Sequence, residues 1–152
     1  MELRWRDVEA TLSELLLITD EQRGAFRARI RHLKAVGIPN IPKVGSGTQI
    51  TYTRDNVVEL YMALLIMELG VPPKVAAGLV LNIRSWPYDN PIYGPKDKDF
   101  LVIVPTRTKF PISMFLKGEE QMMHYIQSTP DRVFGTLRIT DCLRSVDAAL
   151  MA

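Results

Sequence analysis

The chain has one cysteine, Cys142, and two histidines, His32 and His124, in 152 residues. A single thiol makes neither an internal disulfide nor a four-ligand zinc site, and such sparse thiol usage fits a reducing compartment. The two histidines lie in different halves of the chain, and Cys142 has no histidine near it in sequence. A Cys/His nucleophile is therefore not expected. Long apolar runs are also missing. The longest, near residues 60–67, contains Tyr61 and is followed by Glu68, which is too short to span a bilayer. Charges at Glu2, Arg4, Arg6 and Asp7 occupy the place where a signal peptide would be apolar. No internal repeat and no low-complexity tract is present. What remains is an ordinary globular composition, 47% hydrophobic and 24% charged, which excludes disordered and collagen-like chains. The expectation is a cytoplasmic, soluble protein of one domain or two small ones, with no membrane segment and no cofactor.

A further absence is local. Between Gln22 and Arg54 there is no Asp or Glu, while Arg23, Arg27, Arg29, Arg31, Lys34, Lys43 and Arg54 all fall there, with His32 beside them. The other 119 residues carry 12 basic and 17 acidic side chains. A cationic block set in an otherwise acidic chain is the electrostatic footprint of a polyanion site, although a solvated helix face gives the same count.

Periodicity places a first helix over residues 7–18. Thr19 and Gln22 then have capping-box spacing, and a second helix runs to about Val36 and stops at Gly37. At 100° per residue, Arg23, Lys34, Arg27 and Arg31 share an arc of about 80°, next to an apolar sector of Ala25, Phe26, Ile30, Leu33 and Val36. Arg29 falls inside that sector and is expected to snorkel or pair internally. An extended Pro-rich segment leads to a hairpin over residues 43–53 with a Gly45-Ser46-Gly47 turn. That turn precedes a strand and lacks a third glycine opening a helix, so it is not a nucleotide-binding loop. Apolar helices are expected over residues 56–69 and 71–83, and an irregular Pro-rich linker over 85–99. Beyond it come strands at 100–104, 110–116 and 132–139 and helices at 118–127 and 140–150. Glu119 and Glu120 suit a helix N-terminus. As sequence neighbours they point different ways and make a poor catalytic pair.

Helix, turn, basic helix, hairpin and apolar helix follow the order of a winged helix-turn-helix. Ile30-Arg31-His32-Leu33 stands six residues of Arg-to-Gly spacing before Gly37, as in the Leu-Arg-Tyr-Tyr-x-x-x-Gly of MerR-type bacterial regulators. Tyr52-Thr53-Arg54-Asp55 resembles the junction that closes the wing in that family. Leu69-Gly70-Val71 resembles its Leu-Gly-Phe. The likeness covers residues 11–80. The chain departs from the family at His32-Leu33, which replaces an aromatic pair, and at Ile50, which replaces a wing arginine and leaves Lys43, Thr48 or Gln49 to contact the backbone. It also lacks the family's long dimerising helix and any cysteine cluster. The resemblance implies DNA binding, not metal or drug sensing.

The resulting expectation is an α+β protein: a winged helix-turn-helix DNA-binding domain over residues 1–84 and a small mixed α/β domain over 100–152. The second domain would pair two protomers, with residues 100–104 and 132–139 offering strand edges. The expected function is that of a bacterial, nucleoid-associated transcription regulator without enzymatic activity, binding double-stranded DNA. Its contacts would come from Arg23, Arg27, Arg31, His32 and Lys34 of the basic helix, and from Lys43, Ser46, Thr48, Gln49, Tyr52 and Arg54 of the wing and its junction. Two alternatives are an adaptor or anti-activator that binds a protein partner on the same fold, and an architectural, excisionase-like DNA-binding factor.

Overall fold

A computed structural model describes residues 2–41, 50–84, 99–104, 112–128 and 135–152. The chain runs α1 (Trp5–Leu15), α2 (Arg23–Ala35), α3 (Arg54–Glu68), α4 (Pro73–Arg84), β1 (Asp99–Val104), β2 (Ile112–Lys117), α5 (Gly118–Ser128), β3 (Gly135–Arg138) and α6 (Ile139–Met151).

The first helix stops earlier than its periodicity suggests, at Leu15, because Leu17 adopts a left-handed φ of 52°. The expected capping box at Thr19 forms only in half. Gln22 Oε1 accepts the Thr19 N–H at 3.1 Å, but Gln22 itself is the residue that precedes α2. A complete box instead opens α3. Thr53 Oγ1 accepts the Asn56 N–H at 3.3 Å and Asn56 Oδ1 accepts the Thr53 N–H at 3.0 Å, satisfying donors that a helix N-terminus leaves free.

The third helix organises the core. Val57, Leu60, Met62, Ala63, Leu64 and Ile66 are all buried, which covers every side of the helix rather than one stripe. A helix apolar all round must sit in the middle of its neighbours, and α1, α2, α4 and α6 all pack on one another or on α3. Even Glu59 is buried, and its carboxylate accepts the Asn40 N–H at 2.9 Å, tying down the chain after α2. Phe26, Ile30 and Leu33 of α2 enter the same core, as do Ile139, Cys142 and Val146 of α6.

The three strands make one small antiparallel sheet in the order β2-β1-β3, with Leu101 opposite Phe115 on one side and Leu137 on the other. Strand β1 is therefore central. The expectation that residues 100–104 offer a free edge for a second protomer is corrected by this order.

The expected fold class, an α+β winged helix followed by a small mixed α/β domain, is also overturned. The described residues are mostly helical, with six helices against three short strands. Among the described residues, the only pairing where the wing was expected is an isolated bridge between Leu3 and Tyr52, sealed by two backbone hydrogen bonds of 2.9 Å. The final helix lies on α1 and α3. Its stripe of Ile139, Cys142 and Val146 recurs at helical spacing, and such a stripe says only that some apolar surface must cover it. Here that surface belongs to the N-terminal helices. The turn of the expected hairpin, with Lys43, Ser46, Thr48 and Gln49, lies outside the described residues, as does nearly all of the 85–99 linker.

Candidate nucleic-acid interface

Helix α2 buries Phe26, Ile30 and Leu33, and its other sides are exposed. Cations flank the buried stripe on both sides, and the protein uses each flank differently.

On the side of α1, Arg27 donates from Nε and from Nη2 to Glu9 Oε1, each at 2.7 Å. The Glu9 side chain is only 15% exposed and the Arg27 side chain 56%. Both donors converge on one carboxylate oxygen, so Nη1 and the outer edge of the guanidinium keep free N–H groups. Two turns on, Lys34 Nζ stands 3.5 Å above the centroid of the Trp5 ring and 5.2 Å from that of Tyr52, and donates to Tyr52 Oη at 2.9 Å. The two rings lie 5.7 Å apart and tilted by 51°. An ammonium over an aromatic face is held by the ring quadrupole, and Lys34 thereby joins α2 to α1 and to the strand-like segment before α3.

On the opposite flank, Arg29 pairs with Glu68 at the end of α3, which is the internal pairing its place in the apolar sector predicts. Arg23, back on the Arg27 side of the helix, holds Asp20 at 2.9 Å, with both side chains well exposed. Between these flanks lies the outward face. Arg31 and His32 are exposed there, and Arg31 makes no ion pair or side-chain hydrogen bond among the described residues.

Arg54 opens α3 and is the most heavily engaged of the cations. Its Nε and Nη2 donate to the two carboxylate oxygens of Asp147 on α6, at 2.5 and 2.8 Å, and its Nη1 to Asp55 at 3.3 Å. The Asp147 hydrogen bonds raise the Arg54 pKa above its ordinary value, and Arg54 holds the Asp147 carboxyl below the usual carboxylate range by the same contact. Tyr52, two residues earlier, is buried and serves as the acceptor for Lys34.

Of the eleven residues expected to touch DNA, Lys43, Ser46, Thr48 and Gln49 lie outside the described residues, and the other seven separate into distinct groups. Arg23, Arg27, Arg31 and His32 present polar edges on the exposed sides of α2. Lys34 and Tyr52 form a structural tie, and Arg54 is bound to the last helix. Sequence reasoning missed Trp5, Glu9 and Asp147, which answer the cations from other elements. The faint signal for Trp5 and Glu9 is their spacing of four residues, which puts them on one face of α1. Nothing local marks Asp147, which lies 93 residues from Arg54.

Elsewhere, Cys142 is buried, and burial together with the nearby Asp141 charge pushes its thiol up to about 12, far from a reactive thiolate. Among the described residues no group of three or more His, Cys, Asp or Glu is placed to hold a metal ion. No described helix is long and apolar enough to cross a membrane. No protein-family model matches the chain, and no curated protein matches it significantly.

Proposed function

We propose that the protein binds double-stranded DNA through the exposed side of α2 and acts as a transcription regulator, without catalytic activity. The observation that carries this reading is Arg31: exposed, unpaired among the described residues, and placed on a helix that has no carboxylate of its own. Arg23 and Arg27 flank it, with side chains 50% and 56% exposed. Their ion pairs leave outward N–H groups for phosphate oxygens. A helix projecting several guanidinium groups from a packed body is suited to a groove of the duplex. The motif likeness to MerR-type regulators over residues 11–80 points the same way. Pairing of two copies through the C-terminal elements belongs to the same proposal, because two-fold dimers read palindromic sites.

The test is fluorescence anisotropy of a labelled mixed-sequence duplex across salt concentrations. With Arg23, Arg27 and Arg31 on phosphates, log affinity should fall with log salt at a slope of roughly −2.7, which is about fortyfold between 50 and 200 mM. Arg31→Ala should flatten that slope by about 0.9. Selection of bound fragments from random DNA then shows whether α2 reads bases. Absence of binding at 50 mM salt rejects the proposal. Capture of a protein partner under those conditions favours the adaptor reading. Binding with duplex bending and no sequence preference favours the architectural one.

A further inference from the structure

Arg54 has the position of a DNA contact without the freedom of one. It lies two residues beyond Tyr52, whose hydroxyl takes a hydrogen bond from Lys34 of α2, so it adjoins the cationic helix. Consecutive Cα atoms are 3.8 Å apart, which puts the Arg54 Cα within about 8 Å of the Tyr52 Cα. A phosphate is best gripped by two parallel N–H donors on one edge of the guanidinium. On Arg54 that edge, Nε with Nη2, already lies on both oxygens of Asp147, and Nη1 is turned to Asp55. The carboxylate of Asp147 has the charge and the two-oxygen geometry of the phosphate it would replace. It is not a loose surface group. Asp147 follows Val146, which is fully buried, on a helix whose Ile139 and Cys142 also sit in the core, so the backbone of α6 holds the carboxylate in register with Arg54.

We infer that Asp147 is an affinity-setting residue: it competes with a DNA phosphate for Arg54, and the last helix thereby withholds one cation from the interface. This rests on the DNA-binding reading above. Because the pair is partly exposed, at 40% for each side chain, the competition is modest and releasable rather than absolute.

The experiment measures DNA affinity and its salt slope for the full chain and for Asp147→Asn. Removing the charge while keeping the shape should tighten binding about fivefold at 100 mM salt and steepen the slope by about 0.9, the signature of one more phosphate neutralised. Asp147→Ala, a substitution favourable within a helix, should do the same and covers the case in which the asparagine variant folds poorly. Thermal melts of each variant report the fold. The double variant Asp147→Asn/Arg54→Gln should return to wild-type affinity and slope. If it keeps the gain, the effect is a general loss of negative charge and the inference is overturned. Equal binding by wild type and both Asp147 variants overturns the inference alone. No DNA binding by any of them overturns the proposed function, and the inference with it.

Discussion

Lys34→Met separates a structural cation from a DNA-contacting one. Methionine keeps an unbranched apolar stem of similar length and removes only the ammonium. That group sits 3.5 Å over the Trp5 ring and 2.9 Å from Tyr52 Oη. A cation–π contact of this kind contributes roughly 0.5–1 kcal/mol at a site open to solvent, and the charged hydrogen bond adds about 1 kcal/mol once solvent competition is allowed for. The loss should be about 1–2 kcal/mol, which lowers the melting temperature by about 3–6 °C for a domain of this size. Circular dichroism melts measure it. A double-mutant cycle with Trp5→Leu assigns the loss to the contact, since residues in contact couple by about 0.5 kcal/mol or more whereas distant ones add. The salt slope of DNA binding should stay at its wild-type value. A melting temperature unchanged within about 1 °C, together with a slope flattened by about 0.9, would show that Lys34 holds a phosphate and that the aromatic tie is incidental.

Three further outcomes are expected. A Cβ built on Gly135 falls 2.4 Å from Leu69 Cδ1, so Gly135→Ala should destabilise by about 1 kcal/mol in urea unfolding, at the low end for overpacking because Leu69 is 36% exposed and its end can swing; in a Leu69→Ala background the cost should largely vanish. Thr53→Ala removes the hydroxyl half of the α3 capping box and should cost about 1 kcal/mol, whereas Thr19→Ala, with no side-chain cap to lose, should be near neutral. The Asp147 carboxyl is held below its ordinary value by Arg54, so its contribution is present above the unfolded pKa of about 3.9 and disappears as pH falls through the lower folded value. Melting temperatures of wild type and Asp147→Asn should therefore converge as the pH is lowered from 5 toward 2, and a constant difference between them contradicts the pairing.

Much of the local structure was legible along the chain. The second helix runs from Arg23 to Ala35 and ends before Gly37, whose φ of 92° suits glycine. The strand-strand-helix-strand-helix order from residue 99 on follows the alternation of apolar runs with Gly118 and the polar stretches. Such features depend on neighbours within four residues. Arg29 was placed on the correct flank for the same reason, since helical phase alone sets it beside the core. The capping box was misplaced at Thr19 because two sites had suitable residues, Thr19 with Gln22 and Thr53 with Asn56. At the first the Gln22 N–H goes to the Thr19 carbonyl at 3.1 Å, and only at the second does the threonine hydroxyl accept the N–H three residues on.

The partners of the cations could not be read this way. Arg27 meets Glu9 across 18 residues, Arg29 meets Glu68 across 39, and Arg54 meets Asp147 across 93. By itself, the sequence determined which stretches become helices, which face of each is apolar, and that positive charge concentrates between residues 22 and 54. Tertiary structure decided which of those charges still face solvent. An amphipathic stripe specifies that a surface must be covered but not by what. The packing of α6 over α1 and α3 brought an acid to Arg54, while Arg31 on α2 faces outward.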